Sequence, residues 1–198
     1  QSVLVKPDSI TVRAGGAAFG YSLDEPVQGR VALRLTLGSG ITWLAVEVFD
    51  LTGTTLHGTG VADSYDFSSF TLVAPGAYAL ALLAGDGNDT IIAGTATLGA
   101  NLSGEGGNDS LVGSDVADLL DGGLDVDTMV GGAGDDVYVV NTAADIVTEL
   151  PGGGIDEVRS AVTINSLAAE VERLVLTGIA NINGTGNGLD NILTGNVG

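Results

Sequence analysis

Gly131-Gly132-Ala133-Gly134-Asp135-Asp136-Val137-Tyr138-Val139 is a nine-residue unit with glycines at its first, second and fourth places, an aspartate at the sixth and an apolar side chain at the eighth. Counting outward from Asp136 in steps of nine meets Asp127, Asp118 and Asp109 on one side and Asp145 on the other. Two residues beyond each aspartate stands an apolar residue: Leu111, Leu120, Met129, Tyr138 and Val147. The pattern recurs upstream in Ala84 to Ile92, with Asp89 at its sixth place, and downstream in Thr185 to Leu193, with Asp190. A fixed short period of this kind is the mark of a repeat architecture, in which each unit buries its apolar side against the next.

Local chemistry gives the shape of one unit. The glycine-rich part turns sharply because glycine reaches positive φ without a steric penalty, and the three residues that follow, with one apolar position, make a short strand. Two units complete a coil of 18 residues, and successive coils stack as parallel strands about 4.8 Å apart. Stacking then sets Asp109 beside Asp127, Asp118 beside Asp136, and Asp127 beside Asp145. Two carboxylates roughly 5 Å apart at an effective dielectric near 20 repel by about 3 kcal/mol. A few such pairs rival the roughly 5 to 15 kcal/mol that stabilise an ordinary domain, so this half of the chain is expected to need a cation. Carboxylates and glycine-loop carbonyls are hard oxygen donors, which suit Ca²⁺ better than the reluctantly dehydrated Mg²⁺. Calcium, as several ions, is the expected cofactor.

The GGxGxDxUx unit resembles the calcium-binding repeat of the RTX (repeats-in-toxin) family. That resemblance implies a right-handed parallel β-roll in which ions sit between the turns of neighbouring coils. It assigns side-chain ligands to Asp89, Asp109, Asp118, Asp127, Asp136 and Asp145, and extends the site to Asp156 and Asp190. Backbone contributions fall to Gly85, Gly87, Gly104, Gly107, Gly122, Gly131, Gly132 and Gly134. Some positions depart from the pattern. The fourth place is Val116 in one unit and Asp125 in another, which predicts distorted turns. Leu98 falls where an aspartate belongs, and the step from Asp145 to Asp156 is eleven, with Pro151-Gly152-Gly153-Gly154 inside it. Leu167 to Leu174 has a helical reading, but Ile164, Val171, Leu174 and Leu176 favour short strands in a ladder. From Gly153 through Asn196 the sequence resembles the linker portion between successive RTX blocks.

Charge divides the chain in the same place. Residues 1–83 hold 7 acidic and 4 basic side chains, whereas residues 84–198 hold 18 acidic and 2 basic ones. The first part shows strand-like alternation in Val31-Leu33-Leu35-Leu37 and Leu44-Val46-Val48, broken by turn signals at Gly38-Ser39-Gly40, Thr52-Gly53 and Pro75-Gly76. With Phe49-Asp50-Leu51-Thr52-Gly53, then Phe67, Phe70 and Pro75-Gly76-Ala77-Tyr78-Ala79-Leu80, it loosely resembles the small jelly-roll modules appended after the peptidase domain of secreted bacterial proteases. The expected architecture is therefore all-β: an antiparallel β-sandwich over 1–83, a calcium-binding parallel β-roll over 84–159, a strand-rich linker over 160–183 and the start of a further block over 184–198.

Composition removes several functions. A net charge of -19 opposes binding to nucleic acid. With no cysteine and a single histidine, His57, thiolate zinc sites and cysteine or histidine catalysis lose their residues. His57 reads as a loop residue. No apolar run approaches the roughly 20 residues of a membrane span, and a chain that starts at Gln1 reads as an excised or processed piece. Trp43, Tyr21 and Tyr78 read as core aromatics, with a sugar-stacking face as the alternative. The expected protein is not an enzyme but a calcium-folded spacer of a secreted or surface-bound bacterial protein, most plausibly an adhesin, with calcium and extracellular polysaccharide or a cell surface as partners. The alternatives are the carboxy-terminal region of a secreted protease, lipase or polysaccharide-modifying enzyme, and a carbohydrate-binding sandwich carried on the roll.

Overall fold

The computed structural model describes residues 9–14, 17–22, 33–37, 40–44, 55–66, 71–72, 80–96 and 99–198. β1 (Ser9–Ala14) and β2 (Ala17–Ser22) form an antiparallel pair, and β3 (Leu33–Leu37) and β4 (Gly40–Leu44) form another. Then follow β5 (Thr55–Thr59), β6 (Ser64–Asp66), β7 (Thr71–Leu72), β8 (Leu80–Gly85), β9 (Thr90–Ile92) and β10 (Thr95–Ala96). The remaining strands are β11 (Ala100–Ser103), β12 (Ser110–Val112), β13 (Leu119–Asp121), β14 (Thr128–Val130), β15 (Val137–Val140), β16 (Ile146–Thr148), β17 (Glu157–Ser160), β18 (Arg173–Leu176) and β19 (Ile192–Thr194). Among the described residues there is no helix, and hence none long and apolar enough to cross a membrane.

These short strands wind into a parallel β-solenoid. One sheet runs β5-β8-β11-β13-β15-β17-β18-β19, every neighbouring pair parallel. The other runs β6-β9-β12-β14-β16 in parallel and is continued at its start by β3 and β4, which join antiparallel. Because strand side chains alternate between faces, a three-residue strand sends its middle residue inward. Leu82, Leu102, Leu120, Tyr138, Val158 and Leu174 thus form one column of the core, and Tyr65, Ile91, Leu111 and Met129 the other, all at 2% exposure or less.

The solenoid begins earlier than the acidic repeats suggest. β5, β6 and the start of β8 lie before residue 84, yet Leu56 pairs with Leu82 and Tyr65 with Ile91 in the same parallel registers. His57 is therefore in a strand, opposite Leu83, rather than in a loop, because sheet pairing overrides its Gly/Thr-rich surroundings. Of the residues read as strand, Leu174 and Leu176 lie in β18 and Ile164 makes an isolated parallel bridge to Gly184, whereas Val171 lies outside a strand. The ladder does not stop at residue 160 either: β17 passes its register to β18 and β18 to β19, while the facing sheet ends at β16. The described part of the first 44 residues consists of antiparallel pairs. Val46, Val48, Phe67, Pro75 and Tyr78, on which the sandwich reading also drew, lie outside the described residues, as does Leu98.

Each fully buried core residue touches coils above and below, so its removal leaves a cavity that neighbours cannot fill. Leu120→Ala is expected to lower stability by about 2–5 kcal/mol, whereas Ile192→Ala, at an exposed edge, should stay within about 0.5 kcal/mol. Urea unfolding of the two variants against the parent chain measures the contrast.

Candidate metal centre

Two rows of carboxylates run along the solenoid, one at each turn between the sheets. In the first, the backbone N–H of Asp63 donates to Asp89 Oδ1 at 2.6 Å, Asp89 to Asp109 at 2.7 Å, Asp109 to Asp127 at 2.8 Å and Asp127 to Asp145 at 3.1 Å. In the second, Asp118 N–H donates to Asp136 Oδ1 at 2.7 Å, Asp136 to Asp156 at 2.8 Å, and Asp156 to Glu172 Oε2 at 2.9 Å. The residues therefore stack coil on coil, but each carboxylate is tied through one oxygen to the backbone of the coil before it. These charge-assisted bonds offset part of the repulsion that the spacing alone implies.

The second oxygen divides the turns into two kinds. The Oδ2 atoms of Asp89, Asp109, Asp127, Asp136 and Asp156 are buried and accept no hydrogen bond. By contrast, Asp63 Oδ2 accepts from Thr59 N–H, Asp118 Oδ2 from Ser114 N–H, and Asp145 Oδ2 from Asn141 N–H. The donor in each case lies four residues before the aspartate. In the open turns that place is taken by Gly85, Glu105, Gly123, Gly132 and Gly152, all at positive φ. A left-handed residue there turns its N–H away, and the carboxylate oxygen is left bare. Thr59, Ser114 and Asn141 do not adopt positive φ and close the turn on itself. The Val116 turn is further closed by Ser114 Oγ, which donates to Asp118 Oδ1 at 3.0 Å. Asp125, the other irregular fourth place, takes the left-handed conformation that Gly87, Gly107 and Gly134 hold elsewhere.

Glycine at the first place has a separate cause. A Cβ on Gly104 would meet Asp109 Oδ2 and the carbonyl of Gly122, and one on Gly113 would meet Asp118 Oδ2 and the carbonyl of Gly131. Gly122 faces the Asp127 carboxylate in the same way, and Gly131 the Asp136 carboxylate. Only a hydrogen leaves room for carboxylate and carbonyl oxygens from successive coils to converge. A buried oxygen without a partner costs about 1–3 kcal/mol, more when it is charged. Five of them, beside hard carbonyl donors, fit a Ca²⁺-type cation, which takes six or more oxygen ligands.

Titration of these groups follows from burial. Desolvation pushes Asp136 up to about 8, Asp89 to about 7 and Asp127 to about 6, with the stacked carboxylates adding to it and the rung-to-rung hydrogen bonds opposing it. Asp109 and Asp156 are raised for the same reason. Asp118 is also raised by burial, against the pull of its hydrogen bonds from Ser114 and Ala100.

Of the residues expected from sequence, Asp89, Asp109, Asp127, Asp136 and Asp156 come together with bare oxygens, while Asp118 and Asp145 are in the rows but satisfied by the chain. Asp190 does not join. It is exposed, and the strand register Leu174↔Leu193 puts Asn191 in its place, where Asn191 Oδ1 accepts from Asn187 N–H at 2.8 Å. The place in register with Asp118 belongs to Ala100, which donates its N–H to that carboxylate. Three contributors are missing from the aspartate count: Asp63, hidden by a long first coil, Glu172, which ends the second row, and Glu149. The oxygens of Asp136, Glu149 and Asp156 lie within 4.8 Å of one another. Following the glycine column Gly113, Gly131 by eighteen residues would have led to Glu149.

The chain is 34% identical over 97 residues to the endo-1,3-1,4-beta-glycanase EglC of Rhizobium meliloti (strain 1021), a match covering 49% of this chain and 19% of the relative. It is 33% identical over 100 residues to the endo-1,3-1,4-beta-glycanase ExsH of the same organism, covering 50% and 19%. The matched stretch thus spans about a fifth of each relative's length. No family model and no solved structure matches the chain.

An aspartate whose folded pKa is raised holds its proton more tightly in the folded state than in the unfolded one, so folding takes up protons. The metal-free solenoid is therefore expected to be most stable near pH 4 and to lose stability as pH rises to about 8, by up to about 1.4 kcal/mol per pH unit for each such group. Thermal melts in EDTA should give a higher midpoint at pH 5 than at pH 8.

Proposed function

We propose that this chain is a calcium-folded, non-catalytic segment of a secreted protein, similar to the RTX repeats, whose solenoid orders when the chain meets calcium outside the cell and then serves as a rigid spacer. The observation that carries this reading is the set of five buried carboxylate oxygens with no hydrogen-bond partner, stacked along two turns of the coil. Calcium, when bound, supplies the positive charge and the oxygen coordination that these atoms lack. Asp89, Asp109 and Asp127 would hold it in one row and Asp136 and Asp156 in the other, with carbonyls such as that of Gly122 completing the shell. The Oδ1 atoms keep the rungs in register, and the glycines leave the space.

Linkage gives the mechanism. A ligand that binds only the folded chain adds about 1.4 kcal/mol per site at tenfold saturation, and several sites reach the scale of a domain's stability. At low calcium the same oxygens repel one another and the folded segment lacks that stability. The names of the two relatives favour a parent that acts on polysaccharide, with catalysis outside this stretch, over an adhesin.

Melts followed by circular dichroism at pH 7 should show the midpoint lowered in EDTA and raised again with millimolar calcium; an unchanged midpoint rejects the proposal. Asp127→Asn should shrink the calcium-induced rise in melting temperature. Asp118→Asn, in a turn that the chain closes itself, should lower the midpoint equally with and without calcium, and Asp190→Ala should alter neither.

A further inference from the structure

Glu149 occupies a place where the repeat carries glycine. β12 and β14 pair Val112 with Val130, so Gly113 lies over Gly131; β14 and β16 pair Val130 with Thr148, so Gly131 lies over Glu149. In the Gly113 turn, the oxygen arriving from the next coil is the carbonyl of Gly131. In the Gly131 turn, it is Glu149 Oε1, beside Asp136 Oδ2 and the hydroxyl of Tyr138. Tyr138 departs from the repeat in the same coil, since the preceding rung has Leu120 at that register, and its hydroxyl donates to Glu149. Around the next glycine, a Cβ on Gly153 would stand 2.7 Å from the carbonyl oxygen of Gly132, 3.1 Å from that of Leu150 and 3.5 Å from Glu149 Oε2.

We propose that Glu149 joins Asp136 and Asp156 in a cation site, distinct in composition from the repeat turns, that closes the second row where the facing sheet ends. Two of its members, Asp136 and Asp156, are fully buried and bring oxygens with no hydrogen-bond partner. Glu149 is 9% exposed and aims its carboxylate at them. The repeat turns bring one bare carboxylate oxygen and a glycine carbonyl; here three acidic side chains meet within 4.8 Å, with peptide carbonyls nearby. All are hard oxygen donors, and the added negative charge favours a divalent cation of the calcium kind, because affinity in such sites rises with ligand charge. Among the described residues this is therefore the tightest site. The Tyr138 hydroxyl positions Glu149 without serving as a ligand.

The inference rests on the reading that the rows bind calcium, and calorimetry on the calcium-stripped chain separates the two. If the parent chain takes up no calcium, the wider reading fails. If it does, Glu149→Gln is expected to lose one ion or weaken the tightest class by at least about tenfold. Tyr138→Phe should keep the number of ions. A purely structural Glu149 would instead make both variants equally less stable in EDTA and leave calcium uptake unchanged, which would overturn the inference. Should Glu149→Gln fail to fold, the double variant Tyr138→Leu/Glu149→Gly, which carries the residue pair of the preceding coil, decides: the same ions at the same affinity as the parent would also overturn it.

Discussion

Each coil is fastened to the next through an aspartate that accepts, on one oxygen, the backbone N–H of its counterpart one rung earlier. That bond fixes the register of the strands that follow, and so decides which residues face the core. It also brings like charges into line inside the protein. Burying a carboxylate requires partners for both oxygens, and the backbone supplies only one. The rest of the molecule can be understood as different answers to what the other oxygen does.

Two answers are visible. Where a Thr, Ser or Asn precedes the aspartate by four residues, its N–H folds back onto the carboxylate and the turn completes itself. Where a left-handed residue stands there, the oxygen stays bare, and in the Asp109, Asp127 and Asp136 turns a glycine clears the space in front of it. A single backbone dihedral thus separates a turn held by the chain from one whose second oxygen has no partner, although both carry the same aspartate. Glu105 shows that the conformation and not glycine as such matters, since it holds φ 70 in the open turn of Asp109.

Much of this was legible in the sequence. The nine-residue step named Asp109, Asp118, Asp127, Asp136 and Asp145 across both rows and Leu111, Leu120, Met129 and Tyr138 in the core, because strand pairing repeats whatever period the chain carries; Val147, next in the count, is only half-buried. Legibility ended where coils change length. The pairing of Asp63 with Asp89 spans 26 residues and that of Asp156 with Glu172 spans 16, so no fixed count connects them. The one-residue difference between Asp190 and Asn191 arises because the last rung is set by hydrogen bonding to β18 and not by the local motif. Glu149 is hidden for another reason: it lies off the aspartate period, in the column of Gly113 and Gly131, where it is the one acidic residue. Placing His57 in a strand needed the pairing partner, which lies 26 residues away.

The self-closed turn at Asp118 lies in the middle of the array, with bare-oxygen turns on either side of it. In a stack where each repeat contacts only its neighbours, order is costly to start and cheap to extend. A central turn that the chain closes by itself supplies a seed at one edge of its coil, while the bare-oxygen turns at the opposite edge and in the neighbouring coils govern how far order travels. Nucleation and propagation are thereby assigned to different turns of one chain, the arrangement of a zipper whose slider is already engaged before the teeth can close.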